Sequence, residues 1–145
     1  MKSKIVIISW WSNCLALQSI KSVLSFSGKE EVFLVQCGKS EKQKEKLRDL
    51  LDERVVEFDY PQGSPAEHFH VLEYLISGPL RGEEGLWFQD HDTFYRVDSK
   101  EFFNDLDDRF HDNGITLFVP DGRTMTNPAF WISPVRLPRN CPSLS

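Results

Sequence analysis

Apolar runs of two kinds alternate along this 145-residue chain, and that alternation constrains its fold more than any other feature. Ile5-Val6-Ile7-Ile8 is a continuous β-branched run, which is typical of a strand buried on both faces of a parallel sheet. Leu17, Ile20 and Leu24 then recur at helical spacing, and Gly28 ends that helix. The same order repeats along the chain. We therefore predict an α/β fold, a single Rossmann-like domain with a mostly parallel sheet flanked by helices.

The other predicted elements follow the same order. Strands are predicted at 31–35, 55–60, 86–88, 115–119 and 129–132, and helices at about 40–51, 66–76 and 98–113. Beyond Ser133 the sequence contains proline and arginine without periodicity. We therefore predict one domain over 1–133 and a C-terminal tail over 134–145.

Charge and cysteine content restrict the partners and the compartment. The net charge of −5 gives no reason to expect a nucleic acid or an anionic membrane as partner. Lysines 39, 42, 44 and 46 are interleaved with glutamates, so we interpret them as a solvated helix face, and we interpret the acidic stretch of aspartates 105, 107, 108 and 112 on the fourth helix in the same way. The three cysteines show no metal-binding spacing and suit reduced thiols. No apolar stretch approaches the roughly 20 residues of a membrane span. We therefore expect a cytoplasmic protein without a transmembrane segment.

The strongest functional signal is a pair of aspartates, Asp90 and Asp92, that follows the apolar run 85–89. Because side chains alternate along a strand, we expect both carboxylates to project to the same side. Ligands of open α/β sheets bind at the carboxyl ends of the strands. Carboxylate pairs there suit Mg²⁺ or Mn²⁺, and such an ion suits a diphosphate. For so short a motif, an acidic surface turn is the alternative interpretation.

Further short motifs occur in a suggestive order. The first strand is followed by Ser9-Trp10-Trp11-Ser12-Asn13, and the second strand ends in Gln36-Cys37-Gly38-Lys39-Ser40. The fourth strand ends in Asp90-His91-Asp92, and the last motif is Ala129-Phe130-Trp131-Ile132-Ser133. This order resembles the GT-A-fold nucleotide-sugar glycosyltransferases, especially the inverting class that includes polysaccharide-synthase-like enzymes. The fold implied by the resemblance is a GT-A-like nucleotide-sugar-binding domain.

The resemblance also implies site residues. It implies metal binding by Asp90 and Asp92, a sugar-site wall of Phe130 and Trp131, and nucleotide binding by Ser9, Trp10, Trp11, Asn13, Gln36, Gly38, Ser40 and Asp90. An aromatic face after the first strand would stack on a nucleobase, although each tryptophan could equally pack in the core. Gly38 would let the backbone approach the ligand, or it forms an ordinary turn.

The implied function is that of a glycosyltransferase-like protein. It would bind a nucleotide-diphosphate sugar through Mn²⁺ or Mg²⁺ at the Asp-His-Asp motif and transfer the sugar to an unknown acceptor. Two departures from the family pattern argue for an alternative, a non-catalytic GT-A-like binding or scaffold module. Gln36-Cys37 replaces the usual acidic residue, and only 53 residues follow Asp92, where the family carries its catalytic base.

The catalytic base is not identified by the sequence. Asp121 is a weak candidate, and Arg123 and Thr124 are candidates to face a phosphate. If the chain is an enzyme, we expect a partner protein or a second copy of the chain to complete the acceptor side. A nucleotidyltransferase is a weaker option, because the loop 9–13 lacks the glycine, arginine and lysine that such an enzyme would place there.

Overall fold

The structure is a computed structural model that describes residues 3–61, 64, 67–95, 97–113 and 130–137. The strands of this part of the chain are β1 (Lys4–Ser9), β2 (Val32–Gln36), β3 (Val55–Phe58), β4 (Leu86–Asp90) and β5 (Phe130–Ile132). Its helices are α1 (Asn13–Phe26), α2 (Glu41–Arg48), α3 (His68–Ser77) and α4 (Lys100–Asn113), and a 3₁₀ helix follows at Pro134–Arg136. The predicted strand at 115–119 and the candidates Asp121, Arg123 and Thr124 lie outside the described residues, as does Cys141.

The sheet confirms the predicted α/β architecture. Its strand order is β3-β2-β1-β4-β5. The first four strands are parallel, and β5 pairs antiparallel with β4. The chain moves outward from β1 to β2 and β3, then returns to the other side of β1 as β4. The order therefore reverses between β1 and β4, which is the point where open α/β sheets bind their ligands.

Two apolar cores cover the two faces of the sheet. One contains Ile5 and Ile7 of β1 with side chains of α1, α2 and α4; the other contains Val6 and Ile8 with side chains of α3. Successive residues of β1 thus point into different cores, and all four are fully buried. This explains why β1 is a continuous apolar run rather than an alternating one.

Local signals set the helix ends. Ser40 caps α2, since its hydroxyl accepts a hydrogen bond from the Gln43 backbone N–H while the Gln43 side chain accepts from the Ser40 N–H. Gly28 follows α1 with a φ of 73°, a conformation that favours glycine. Both signals were predicted from the sequence and are confirmed.

Two charged residues that the sequence predicted to be solvated are buried. Lys39 is 7% exposed and belongs to the turn before α2 rather than to a helix face. Asp107 is 3% exposed on α4, whereas Asp105 and Asp108 are exposed as predicted. For Lys39 and Asp107 the prediction is wrong, because local charge patterning does not reveal partners that are distant in sequence.

The described start of the predicted tail packs against the domain. Pro134 is buried, and the Val135 backbone N–H donates to the Glu83 carbonyl oxygen at 3.1 Å. Leu137 packs against the core on the α3 side of the sheet. Residues 134–137 are therefore part of the packed structure. Among the described residues, no helix is both long and apolar enough to cross a membrane.

Candidate functional site

The candidate site lies where β1 and β4 end side by side. Ile8 pairs with Asp90 across these strands, so the loop after β1 meets the loop after β4. Trp10 and Trp11 come from the first loop, and Asp90 to Asp92 from the end of β4. His68, at the start of α3, reaches the same place. We call Trp10, Trp11, His68, Asp90, His91 and Asp92 the carboxyl-edge cluster. It occupies the point where the strand order reverses.

Asp90 is held by two donors. The indole Nε1–H of Trp10 donates to Asp90 Oδ1 at 3.0 Å, and His68 Nε2 lies 3.5 Å from the same oxygen. Burial works to raise the pKa of Asp90, but the hydrogen bonds from His68 and Trp10 outweigh it and hold the pKa below its ordinary value. The same contact raises the pKa of His68, against an opposing effect of burial. Asp90 is therefore an ionised carboxylate with a fixed orientation.

His91 and Asp92 lie in a turn rather than in the strand. β4 ends at Asp90, and the Thr93 backbone N–H donates to the Asp90 carbonyl oxygen at 3.1 Å. His91 is buried, and its Nδ1 accepts from the Trp10 backbone N–H at 3.1 Å. Asp92 is exposed. Strand alternation therefore does not apply to Asp92.

Two open features adjoin Asp90. Trp11 is 70% exposed, and its ring meets His91 edge-on with centroids 5.6 Å apart. Gly38 has a φ of 65°, and a Cβ built on it would meet nothing within 4 Å. Trp11 thus presents an aromatic face, and the turn at Gly38 leaves backbone accessible. Trp10, in contrast, is half-buried and packs against the core on the α3 side.

Other predicted nucleotide-binding residues are engaged within the chain. Ser9 and Gln36 are buried, and the Lys39 ammonium donates to Ser9 Oγ at 2.5 Å and to Gln36 Oε1 at 3.0 Å. The Asn13 side-chain amide donates to the Gln43 carbonyl oxygen at 2.9 Å, and the Ser40 hydroxyl caps α2. These residues lie beside or beneath the surface where a ligand would bind.

The predicted wall of the sugar site does not match the position of Trp131. Trp131 is 1% exposed and pairs with Trp87 in the sheet. Its indole N–H donates at 2.8 Å to the hydroxyl of Ser3, which lies at the amino end of β1. Trp131 is thus a core residue. Phe130 pairs with Phe88 and is half-buried.

A separate open pocket of about 780 Å³ lies between α2 and the outer strand β3. Its lining includes Glu41, Lys44, Arg48, Glu57 and Tyr60. It does not include any member of the carboxyl-edge cluster. The cluster is the candidate site, because its position and its ionised carboxylate have a direct chemical interpretation.

The carboxylates of the cluster fit a divalent ion of the kind that accompanies a nucleotide. Protein sites for Mg²⁺ commonly supply one or two carboxylates and leave the other positions to substrate phosphates and water. Asp90 is ionised and half-buried, and Asp92 is exposed two residues away. Within the described residues no group of three or more His, Cys, Asp or Glu side chains could hold an ion by itself. The fit therefore requires a ligand that brings its own oxygens.

Lys39 should give the stability of the fold a distinctive pH dependence. Burial lowers the pKa of its ammonium from 10.5 to about 8, although Cys37 and Glu57 oppose the shift. Between these values the folded chain binds fewer protons than the unfolded chain, so stability rises with pH. From about pH 7.5 to about pH 9.5, the free energy of unfolding of the wild type should rise by about 2 kcal/mol relative to Lys39→Met. Urea denaturation at each pH measures this difference.

Cys37 provides the internal control for that experiment. Burial raises the pKa of its thiol from 9.0 to about 12, so the thiol stays protonated in the folded chain while that of the unfolded chain titrates within the same range. The thiol is present in both proteins, and its contribution largely cancels in the difference. A difference between wild type and Lys39→Met that stays constant with pH would contradict a lowered lysine pKa.

Comparisons with known proteins identify the fold. No family model matches the sequence, and no curated protein matches it. One similar structure is that of the galactosyltransferase LgtC in complex with donor and acceptor sugar analogs. The TM-score is 0.58 and the sequence identity is 13%, and the alignment covers 90% of this chain and 58% of LgtC. The apo glycosyltransferase GlyE of Streptococcus pneumoniae TIGR4 is similar with a TM-score of 0.52 and 15% identity, covering 92% and 34%.

These likenesses show the fold alone. The described domain has the GT-A-type glycosyltransferase fold, and it spans about a third of the length of GlyE. A mannosyltransferase from Pyrobaculum calidifontis whose structure contains GDP-Man and Mn²⁺ is also similar, with a TM-score of 0.49, 9% identity, and coverage of 68% of this chain and 30% of that chain. A likeness of that size carries no argument about this chain.

Sequence reasoning missed two residues of this edge. His68 contacts Asp90 from a different helix, and nothing in the spacing of either residue indicates the contact. Lys39 gave a weak signal, since it directly follows a strand end and Gly38. Its position at the carboxyl end of a predicted buried strand could have marked it for attention, but its glutamate neighbours suggested a solvated face.

Proposed function

We propose that the chain binds a nucleotide-diphosphate sugar at the carboxyl-edge cluster, through Mn²⁺ or Mg²⁺ held by Asp90 and Asp92. We further propose that it transfers the sugar to an acceptor, following the inverting class that its motif order resembles. The observation that carries the proposal is the position of Asp90. It is an ionised carboxylate at the strand-order reversal of a GT-A-type fold, oriented by Trp10 and His68.

The residues of the cluster other than His91 have definite roles in this proposal. Trp10 and His68 orient the Asp90 carboxylate, and Asp92 supplies the second carboxylate. Trp11 offers an exposed aromatic face on which a nucleobase would stack, an interaction that contributes about 1–3 kcal/mol per base. Gly38 leaves room for the ligand beside the backbone. A divalent ion, when bound, would neutralise charge that builds on the leaving diphosphate.

The second candidate function is a non-catalytic binding module with the same fold. One observation favours it. Asp90 Oδ1 already accepts a hydrogen bond from the Trp10 indole and contacts His68 Nε2, so one oxygen of the carboxylate is engaged by other side chains of the chain. In addition, the described residues offer no clear base for an acceptor hydroxyl, and Asp121 lies outside them. The module would retain ligand binding without transfer.

A panel of nucleotide-sugars separates the two candidates. The isolated chain is incubated with each compound in Mn²⁺ or in a chelator, and release of the nucleotide is followed. For an enzyme we expect release of nucleotide from one compound in the presence of metal only. Metal-dependent binding without release would favour the module. Release that requires a second protein would indicate an acceptor side supplied by a partner. A chain that neither binds any of these compounds nor releases nucleotide from them would contradict the proposal.

A further inference from the structure

Lys39 carries a buried positive charge that lacks a carboxylate partner among the described ion pairs. The residue is 7% exposed, and its ammonium donates to two neutral oxygens, Ser9 Oγ and Gln36 Oε1. Glu57 is near enough to affect its pKa, but the Glu57 carboxylate forms its ion pair with Arg48 at 2.5 Å. Burying a charge without a counter-charge is unfavourable. A ligand that supplies negative charge would offset this cost.

The ammonium lies beside the carboxyl-edge cluster. Ser9 and Gln36 are register partners at the ends of β1 and β2, and Asp90 pairs with Ile8 on the other side of β1. Because neighbouring strands are about 4.8 Å apart, the backbones at Gln36 and Asp90 are separated by on the order of 10 Å. The Gln36 side chain faces α2 and the Asp90 side chain faces α3, so a ligand would reach both by lying across the strand ends.

The surroundings of Lys39 leave a route to a ligand. An ammonium has three N–H donors, and two of them are accounted for by Ser9 and Gln36. Gly38, the preceding residue, faces open space, because a Cβ there would meet no atom within 4 Å. A ligand group therefore has room beside the backbone that precedes Lys39, and the Lys39 ammonium retains one N–H beyond those given to Ser9 and Gln36.

We propose that Lys39 is a second cationic element of the donor site and donates a charge-assisted hydrogen bond to a phosphate oxygen of the bound nucleotide. This rests on the proposed function, which places a diphosphate at Asp90 and Asp92. A single divalent ion neutralises only part of the charge of a diphosphate, and Lys39 neutralises a further part. Binding of the anion therefore has a component that does not require the metal.

The test uses inorganic pyrophosphate, which isolates the phosphate contact from the base and the sugar. Calorimetric titrations compare the wild type with Lys39→Gln, in Mn²⁺ and in a chelator. Glutamine retains a donor for Ser9 and Gln36 but removes the charge. We expect Lys39→Gln to bind about 10-fold more weakly or worse under both conditions, the effect of losing one charge-assisted hydrogen bond. Lys42→Gln, which removes an exposed charge from α2, should bind within about 2-fold of wild type.

Two further proteins keep the outcome interpretable. Asp92→Asn should lose only the metal-dependent part of the affinity. Lys39→Met removes the charge with a second side chain, and an unchanged far-ultraviolet spectrum and a cooperative unfolding transition of each Lys39 variant show that a loss of binding is not a loss of fold. Weaker binding by both Lys39 variants, with Lys42→Gln unaffected, supports the inference.

The inference and the proposed function fail in different ways. Equal affinity in Lys39→Gln and wild type, while Asp92→Asn loses its metal-dependent binding, would overturn the role of Lys39 and leave the donor site intact. Binding that depends on Lys39 but is indifferent to metal and to Asp92 would support an anion contact and contradict the metal site. A wild type that binds no pyrophosphate under either condition would overturn both.

Discussion

Replacing Asp107 with alanine should lower the free energy of unfolding by about 3–5 kcal/mol. Asp107 Oδ2 accepts from the Lys29 ammonium at 2.6 Å and from the Ser3 backbone N–H at 3.1 Å, and both charged side chains are buried. Alanine would leave the Lys29 charge and the Ser3 N–H without this partner. A loss of this size is a large part of the 5–15 kcal/mol that stabilises a typical domain. Urea denaturation measures it directly.

Asp108 is the matched control for that experiment. It is exposed on the same helix, so Asp108→Ala should change the free energy of unfolding by less than about 0.5 kcal/mol. The double variant Lys29→Met, Asp107→Leu should recover much of the loss, since apolar residues can replace a buried ion pair at little cost. A change below 1 kcal/mol in Asp107→Ala would contradict the buried pair, as would a double variant less stable than Asp107→Ala.

The fold was largely predictable because its strongest determinants are local. The continuous apolar run Ile5–Ile8 indicates a strand that is buried on both faces of the sheet. Gly28 indicates the end of α1 because glycine favours a positive φ, and Ser40 indicates the start of α2 because its side chain caps the helix. Strands β2 and β4 lie within two residues of their predicted bounds for the same reason. The predicted GT-A-like fold agrees with the structural similarity to LgtC.

Contacts between distant residues were not predictable. Asp107 contacts Lys29 and Ser3 across separations of 78 and 104 residues, so its acidic neighbours on the helix gave the wrong interpretation. Trp10 and His68 meet at Asp90 for a similar reason, since α3 and the loop after β1 are joined only by the completed sheet. The candidate Asp-X-Asp motif could be located from the sequence, but the donors that orient it could not.

Replacing Asp92 with asparagine should weaken manganese-dependent binding of a nucleoside diphosphate by on the order of 100-fold. Asparagine preserves the shape of the side chain but removes the charge, so the remaining carboxylate of Asp90 would hold the ion alone. Asp90→Asn should have an effect at least as large, because it also removes the negative charge that His68 contacts. Asp108→Asn serves as the control and should bind like wild type.

The central claim is that a divalent ion at Asp90 and Asp92 joins the chain to a diphosphate. Calorimetric titration of UDP, GDP, CDP and ADP into the wild type and Asp92→Asn, each in Mn²⁺ and in a chelator, tests it most directly. We predict that at least one of these compounds binds the wild type more tightly in Mn²⁺ and that Asp92→Asn removes this enhancement. Equal affinities for wild type and Asp92→Asn, with or without Mn²⁺, would contradict it.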